Sequence, residues 1–270
     1  GIDKNGRDRT AVCCLSSLNL EKYDEWKDDK VMINDVMRFL DNVLTDFIER
    51  APEQFDDAKY SAEKERSVGL GVMGFHSYLQ KHSIPLESVM SKVWNKKIFK
   101  HIQEHVDQAS KDLADERGPC PDAADYGYNE RFSNKTAIAP TASISIICGG
   151  ASPGVEPVAA NSYTHKTLSG SFNVRNRYLV ELLDKHGKNT DDVWSVITTN
   201  QGSVSHLDFL TDLEKDVFKT AFELDQKWII ELSGDRTPFI SQAQSINLFV
   251  PADIHKRELH KIHFDAWKKG

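Results

Sequence analysis

The sequence contains no long hydrophobic run, no basic run and only four cysteines. Its apolar stretches are shorter than the roughly 20 residues that a transmembrane helix needs, and no signal-peptide pattern is present, so no association with a membrane is expected. The formal net charge of the 270 residues is −7, and no stripe of aromatic and basic residues occurs. A chain with this charge pattern is not expected to bind nucleic acid directly.

The four cysteines, Cys13, Cys14, Cys120 and Cys148, form neither a C-x-x-C pair nor the spacing of a zinc site. Cys13 and Cys14 are adjacent, and vicinal cysteines are poor partners for an ordinary structural disulfide. The ten histidines are scattered, without a neighbouring set of acidic or cysteine residues. The sequence therefore predicts no metal site and favours a reducing, cytoplasmic environment.

Hydrophobic residues make up 39% and charged residues 28% of the chain, which is ordinary for a soluble globular protein. Apolar residues recur at helical spacing in several long segments, and shorter apolar runs that are typical of strands lie between them. The predicted helices cover 31–50, 61–82, 92–117, 176–186, 211–232 and 252–268, and the predicted strands lie within 11–20, 136–148 and 245–250. This alternation predicts an α/β architecture, and residues 1–270 are expected to form a single domain because no low-complexity linker interrupts them.

The predicted helix at 61–82 contains Gly69, Gly71 and Gly74, although each glycine in a helix interior costs about 1 kcal/mol. We interpret these glycines as positions where another backbone approaches closely. Their spacing also matches G-x-G-x-x-G. The segment does not lie between a predicted strand and a predicted helix, so we do not interpret it as a dinucleotide-binding fingerprint.

The segment Pro140-Thr141-Ala142-Ser143-Ile144-Ser145 is the strongest candidate for a ligand site. It follows a short apolar run and consists largely of small and hydroxyl-bearing residues, so a turn here would offer unobstructed backbone N–H groups and two or three hydroxyls. Such a turn can bind a phosphate, particularly where a helix begins. An ordinary turn rich in serine and threonine is the alternative that this segment alone leaves open.

A few single residues also attract attention. Cys13 lies in an apolar run and is either a buried small side chain or a thiol that forms a disulfide with a cysteine elsewhere in a longer chain, thereby delivering two electrons. Glu156 follows a glycine-rich segment, and it either is solvated or orients that segment or contacts a substrate. Asn19 and Asn247 are polar residues within apolar runs, and we interpret them as side chains that fix the backbone of a turn.

Five segments, in the same order and with similar spacing, resemble the large subunit of ribonucleotide reductases. They are 11–20, which resembles C-x-L-x-S-x-N-L; 66–75, which resembles R-x-x-G-I-G-V-x-x-F; 140–145, which resembles the substrate-phosphate loop; 152–157, which resembles S-x-G-I-E-P; and 242–249, which resembles a late strand of the family. The resemblance extends from about residue 10 to the end of the chain.

The resemblance implies that the chain is the second half of a ten-stranded α/β barrel with long surrounding helices. In that family one cysteine, as a thiyl radical, abstracts the 3′ hydrogen of a ribonucleotide, and two other cysteines are oxidised to a disulfide as the 2′ hydroxyl leaves as water. Cys13 matches the second cysteine of that redox pair. The loop that holds the substrate phosphates, mostly through backbone N–H groups, is matched by Pro140, Thr141, Ala142, Ser143 and Ile144.

Other parts that the resemblance implies lie outside this sequence. The thiyl cysteine, the first redox cysteine and the sites for ATP and deoxynucleotide effectors would precede Gly1, and two tyrosines and a further cysteine pair would follow Gly270. The implied partners are a ribonucleoside diphosphate substrate, the N-terminal part of the large subunit, a small subunit with a diiron/tyrosyl-type radical, and thioredoxin or glutaredoxin. No cofactor is expected to bind this segment directly, and the chain is expected to be inactive by itself.

Two alternatives remain open at this point. The late region, from 208–210 to 262–267, resembles class I enzymes more than the cobalamin-dependent class II, which is the alternative within the family. A non-catalytic nucleotide-binding scaffold is the alternative outside it. A scaffold does not account for Cys13 and the segments 140–145 and 152–157 occurring together in this order.

Overall fold

The computed structural model of the chain describes residues 1–167 and 170–270. A row of parallel segments lies at its centre. The row begins with strand β1 (Leu15–Asn19), which pairs in parallel with strand β2 (Gly69–Met73) along its whole length.

Two further segments extend this row beyond β2. Leu70 forms a parallel bridge to Thr136, and Ile138 forms a parallel bridge to Gln244. Parallel neighbours cannot be joined by a tight turn, so the connections between the four segments are long and carry helices. The predicted α/β class is confirmed by this arrangement.

The described part of the chain contains twelve α-helices, named in chain order: α1 (Tyr23–Trp26), α2 (Met32–Arg50), α3 (Asp56–Glu65), α4 (Phe75–Lys81), α5 (Val89–Arg117), α6 (Pro121–Asp125), α7 (Ala142–Ile147), α8 (Arg177–Lys185), α9 (Asp191–Thr199), α10 (Asp212–Val217), α11 (Gln226–Arg236) and α12 (Lys256–Lys268). Short 3-10 helices cover Leu20–Lys22, Glu53–Phe55 and Thr237–Phe239. An antiparallel hairpin, formed by β3 (Ser162–Thr167) and β4 (Gly170–Arg175), was not predicted from the sequence.

The main hydrophobic core lies between helices α2 and α5 and the parallel row. Apolar residues at helical spacing turn one face of each helix toward this core. Its buried members include Ile33, Met37, Leu40 and Leu44 of α2, Ile98, Ile102, Val106 and Leu113 of α5, and Leu18, Leu70 and Val72 of the strands. Burial of each such side chain contributes about 1.5–3 kcal/mol, so the core holds the two helices against the strands.

A second, smaller hydrophobic cluster holds helices α8, α9 and α10 together. It includes Leu179, Leu183, Trp194, Ile197 and Val217. The Trp194 indole N–H donates to the side-chain oxygen of Asn189 at 2.7 Å, so the polar edge of this large ring is satisfied.

Asp41 is a fully buried carboxylate on α2 that three arginines surround. Arg66 and Arg131 each donate from Nε to Oδ1, at 2.8 and 2.9 Å, and Arg117 donates from Nη1 to Oδ2 at 2.7 Å. Burial alone would raise the pKa of Asp41. The hydrogen bonds from Arg131 and Arg117 and the charge of Arg66 outweigh burial and hold this pKa below its ordinary value.

The single helix predicted at 61–82 is wrong. Helix α3 ends at Glu65, and Arg66 follows it in the left-handed region, with φ of 41°. Strand β2 and helix α4 then follow, with Gly74 between them. The regular spacing of apolar residues concealed the strand, because every residue of β2 is buried and the strand lacks the alternation of a half-exposed one.

The close backbone approach predicted for the glycines is confirmed, although it occurs in a strand. A Cβ on Gly71 would overlap the carbonyl oxygen of Ala137, and a Cβ on Gly69 would lie 2.9 Å from the Ala137 Cβ. Glycine is therefore required for β2 to lie this close to the next segment of the row.

The single helix predicted at 211–232 is also wrong, because two helices, α10 and α11, share this range. Thr211 and Glu214 form a capping box at the start of α10. The second helix has its own start signal: the Asp225 carboxylate accepts the Lys227 N–H at 3.0 Å. That helix continues to Arg236.

The strand predicted at 245–250 does not form. Pairing with the row ends where the Ser245 N–H donates to the Ile138 carbonyl at 2.9 Å, and residues 246–250 adopt no regular structure. The strand predicted within 11–20 is shorter than expected, since β1 begins only at Leu15.

Four of the predicted helices are confirmed. Those at 31–50, 92–117, 176–186 and 252–268 correspond to α2, α5, α8 and α12. Among the described residues, no helix combines the length and apolar character that crossing a bilayer requires.

Candidate functional site

Cys13 and Cys14 lie just before β1 and have opposite environments. Cys13 is exposed, whereas Cys14 is 8% exposed and its thiol donates to the Leu40 carbonyl at 3.8 Å. Burial raises the pKa of the Cys14 thiol. Cys14 is therefore the packing residue of the pair, and the interpretation of Cys13 as a buried small side chain is wrong.

Cys13 and the 140–144 segment flank the parallel row, Cys13 before the start of β1 and the turn after the segment at 136–138. Leu15 and Ala137 share one face, because a Cβ on Gly69 would contact both of their side chains. Exposure alternates from Cys13 through Cys14 to Leu15, as in an extended chain, where every second residue points to the same side. Cys13 therefore points to the same side as Leu15, and Ala137 lies three positions before Pro140. No hydrogen bond between described residues joins Cys13 directly to the turn.

The turn at 140–144 leads directly into helix α7. Thr141 precedes the helix with φ of 54°, a left-handed conformation that a β-branched residue rarely adopts. Its hydroxyl accepts the Gly154 N–H at 2.6 Å and is hydrogen-bonded to the Ser145 hydroxyl at 2.8 Å. Thr141 and Ser145 are both buried, so neither hydroxyl is available to a ligand. Of the hydroxyls predicted to line this turn, only that of Ser143 is exposed.

The backbone of the turn is open to a ligand. The first intrahelical bond of α7 runs from the Ser145 N–H to the Thr141 carbonyl at 2.9 Å. The preceding N–H groups of Ala142, Ser143 and Ile144 therefore have no partner within the helix. No side chain in the described chain caps them, and all three residues are exposed. This arrangement suits an anion with several oxygens.

Asn19 ties the end of β1 to the far end of α7. Its side-chain oxygen accepts the Glu21 N–H at 3.0 Å, and its amide nitrogen donates to the Cys148 carbonyl at 3.4 Å. The interpretation of Asn19 as a side chain that fixes the backbone is confirmed.

The 152–158 segment packs behind the turn and is held by buried polar side chains. Glu156 is 6% exposed, and it accepts the Asn247 amide at 2.6 Å, so the solvated alternative for Glu156 is wrong. His76 of α4 accepts the Val158 N–H at Nδ1, at 3.0 Å. Burial lowers the pKa of His76 to about 3, so this ring is neutral and suited to accept a hydrogen bond.

The segment from Gly69 to Gly74 lies between strand β2 and helix α4. The sequence-based expectation that it does not join a strand to a helix is therefore wrong. The N–H groups of Gly74 and Phe75, at the start of α4, donate to the carbonyls of Ser152 and Gly154, at 2.7 and 3.4 Å. Because these donors already have partners in the protein, they are not available to the phosphates of a dinucleotide.

A cavity of about 500 Å³ lies beside these elements. Its walls include Glu21, Gln80, Gly150, Tyr163 and Arg177. Neither Cys13 nor the 140–144 turn lines it, so it is not the surface that the sequence predicted. Among the described residues, no group of three or more histidine, cysteine, aspartate or glutamate side chains is placed to hold a metal ion.

Sequence reasoning did not predict the side chains that hold the 152–158 segment against α4. Ser77 is hydrogen-bonded to Ser152, and His76 to Val158, and each pair is more than 70 residues apart in the chain. The local signals were the unusual glycine content before α4 and the segment 152–157, and neither identified its partner in the fold.

The fold and the site define an α/β segment with an exposed thiol before its first strand and a turn with uncapped backbone N–H groups after a later segment of its parallel row. A family model described as ribonucleotide reductase, barrel domain, matches residues 2–130 and 122–270. The chain belongs to this family.

Individual relatives agree with the family match. The ribonucleoside-diphosphate reductase large subunit of Invertebrate iridescent virus 6 is 52% identical over 266 residues, covering 97% of this chain and 28% of the viral protein. The large subunit of Invertebrate iridescent virus 3 is 45% identical, covering 97% of this chain and 42% of that protein.

A solved structure is similar as well. The α subunit of the class Id ribonucleotide reductase of Actinobacillus ureae superposes with a TM-score of 0.90 at 39% identity, over 97% of this chain and 48% of that chain. The chain thus spans less than half the length of each of these relatives.

Proposed function

We propose that this chain forms the C-terminal half of the barrel of a class I ribonucleoside-diphosphate reductase large subunit, and that residues 1–270 act as one domain within it. The observation that carries the proposal is that an exposed thiol, Cys13, and a turn with three exposed, uncapped backbone N–H groups, at 142–144, occur together in this parallel-row fold. The names of the similar viral large subunits support the substrate class, and the similar class Id α subunit favours class I over the cobalamin-dependent class II.

In this proposal Cys13 is one of two thiols that reduce the substrate. Cys13 and a second thiol, supplied by a part of the enzyme outside this chain, form an S–S bond and release two electrons and two protons. The C2′–O bond of the ribonucleotide breaks, one thiol hydrogen ends on C2′, and the other leaves with the oxygen as water. Thioredoxin or glutaredoxin then restores the two thiols by disulfide exchange.

The turn binds the substrate diphosphate in this proposal. Phosphate oxygens accept the N–H groups of Ala142, Ser143 and Ile144, which are exposed and uncapped at the start of α7. Hydrogen bonds to a charged group contribute about 1.5–3 kcal/mol each, so three such bonds suffice to hold a diphosphate in place. Pro140 and Thr141 shape the turn. The buried Thr141 hydroxyl bonds to Gly154 and Ser145 of the protein and does not contact the substrate.

The radical itself comes from elsewhere in the proposed enzyme. A separate small subunit generates it with a diiron/tyrosyl-type centre, and the N-terminal part of the large subunit supplies the thiyl cysteine and the effector sites. All four cysteines of this chain are free thiols, which fits a cytoplasmic enzyme.

The proposal is tested in a chimera. The matching segment of the large subunit of Invertebrate iridescent virus 6 is replaced by this chain, and reduction of cytidine diphosphate is measured with that virus's small subunit and thioredoxin. The chimera is expected to form deoxycytidine diphosphate, and Cys13→Ser is expected to abolish thioredoxin-supported turnover because half of the electron-donating pair is missing.

Cys14→Ser is the matched control, since it changes the neighbouring thiol that packs against Leu40. It is expected to keep most of the turnover. Equal activity of the Cys13→Ser chimera and its parent would contradict the proposal. The 270-residue chain alone is expected to show no turnover.

A further inference from the structure

Helix α4 is capped by a segment that lies far along the chain. Gly74 precedes the helix with φ of 78° and has no side chain to cap it. The N–H groups of Gly74 and Ser77 donate instead to Ser152, to its carbonyl at 2.7 Å and to its hydroxyl at 3.1 Å. These donors at the start of a helix are thus satisfied by a residue at least 75 positions away.

The contact between these two serines is reciprocal. The Ser152 N–H donates to the Ser77 hydroxyl at 2.8 Å, so each serine accepts the backbone N–H of the other. Ser77 is 4% exposed and Ser152 is 2% exposed. Loss of either hydroxyl would leave a buried N–H without a partner, which is costly in a site that excludes water.

The same segment reaches the turn from its other side. The Gly154 carbonyl accepts the Phe75 N–H at 3.4 Å, and the Gly154 N–H donates to the Thr141 hydroxyl at 2.6 Å. Only Pro153 therefore separates Ser152 from Gly154, whose N–H donates to the Thr141 hydroxyl. A non-glycine residue keeps such a conformation only where its surroundings hold it.

We propose that Ser77 and Ser152 are positioning residues for the diphosphate turn. Their reciprocal hydrogen bonds fix segment 152–154, that segment fixes Thr141 through Gly154, and Thr141 sets the direction of the N–H groups at 142–144. This inference rests on the proposed function, because it assigns the turn to phosphate. It adds two residues that do not contact the substrate but determine how well the turn binds it.

The test uses the 270-residue chain with inorganic pyrophosphate as the probe. Backbone amide shifts of Ala142, Ser143 and Ile144 are followed by NMR during the titration. Ser77→Ala and Ser152→Ala are each expected to weaken binding about tenfold, since poorly directed N–H groups lose much of a charge-assisted hydrogen bond. Ser77→Thr keeps the hydroxyl and is expected to restore affinity to within about threefold of the parent.

Ser110→Ala is the matched control. Ser110 is also a fully buried helical serine whose hydroxyl accepts a distant backbone N–H, from Arg131 at 3.1 Å, but it lies on α5 and does not contact the turn. It is expected to lower thermal stability by a similar amount while leaving pyrophosphate affinity unchanged. This separates positioning of the turn from a general loss of stability.

The possible outcomes are distinct. Parent-like affinity in Ser77→Ala and Ser152→Ala, or an equal loss in Ser110→Ala, overturns the inference and leaves the proposed phosphate site standing. No response of the amides at 142–144 in the parent chain overturns the phosphate site and the inference with it. Both serine variants are made, so that one that fails to fold does not remove the test.

Discussion

The carbonyl oxygen of Ala137 occupies the space that a Cβ on Gly71 would need. The two residues lie on neighbouring parallel segments, and the Leu70 carbonyl accepts the Ala137 N–H at 3.2 Å. The spacing of the row, and with it the distance between β1 and the segment that leads to the turn, therefore depends on the absence of a side chain at residue 71.

Gly71→Ala is expected to reduce the free energy of unfolding by at least about 3 kcal/mol, because the new methyl group meets backbone that cannot move aside. Urea unfolding measures the change. Gly187→Ala is the control, since Gly187 has φ of 63° but open space around it. In that variant the free energy of unfolding is expected to fall by only about 1 kcal/mol, which is the cost of holding alanine in a left-handed conformation. Equal losses in both variants would contradict the overlap at Gly71.

The four cysteines are expected to react at very different rates with iodoacetamide in the native protein. Cys13 and Cys148 are exposed, whereas Cys14 and Cys120 are buried and burial raises the pKa of both thiols. Only a thiolate reacts, so Cys14 and Cys120 should be modified at least about tenfold more slowly. Peptide mass spectrometry measures each site, and labelling in denaturant is the control, where all four should react.

Ser143→Asp is expected to separate ligand binding from stability. A carboxylate in the first turn of α7 is favourable for the helix by about 0.3–1 kcal/mol, so the free energy of unfolding should not fall. The same charge repels a phosphate at the exposed N–H groups, so pyrophosphate affinity should fall at least about tenfold. Ser143→Ala should keep most of the affinity. Unchanged affinity in Ser143→Asp would argue against phosphate binding at this turn.

Asp41→Asn is expected to destabilise the protein by about 3–5 kcal/mol at pH 7, because three arginines around a buried site lose their counter-charge. The folded pKa of Asp41 lies below its unfolded value of about 3.9, so its contribution is present above that pH and is lost as pH falls through the lower folded pKa. Urea unfolding between pH 7 and pH 3 measures both effects. Asp46→Asn, at an exposed ion pair on the same helix, should change little.

Because of His76, the free energy of unfolding is expected to decrease as the pH is lowered. Its folded pKa of about 3 lies below the unfolded value of about 6.5, so the stability it contributes is complete above about pH 6.5 and declines toward pH 3. The slope from this one group is about 1.4 kcal/mol per pH unit within that range.

The measurement compares urea unfolding from pH 7 to pH 4.5 in the parent and in His76→Asn, which offers the Val158 N–H an acceptor that does not titrate. The variant should lose this slope. His260→Asn, at an exposed histidine, should keep it. An unchanged slope in His76→Asn would show that the ring does not stay neutral on folding.

Long amphipathic helices could be predicted from the sequence because their signal is local. Helices α2 and α5 repeat buried side chains every three or four residues over 19 and 29 residues. Strand β2 could not be predicted in the same way. It is buried on both faces, so it has no alternation, and its apolar residues happen to continue the helical spacing of their neighbours.

The residues of the candidate site could be predicted from the sequence, but the contacts that hold them in place could not. Cys13 and the 140–144 turn carry recognisable residue types, whereas the exposure of Cys13 and the burial of the Thr141 hydroxyl depend on packing. The reciprocal contact of Ser77 and Ser152 joins residues 75 positions apart, and neither serine differs locally from an ordinary surface serine. Such pairs become visible only when the chain is folded.

The parallel row also dictates an order of assembly during synthesis. The Ser241 hydroxyl accepts the Thr136 N–H at 2.9 Å, yet the two residues are 105 positions apart. A ribosome that adds about 5–20 residues per second needs roughly 5–20 s between them. For that interval the segment at 136–138 has an unpaired edge, so a nascent chain is open there to a chaperone or to aggregation until its last partner emerges.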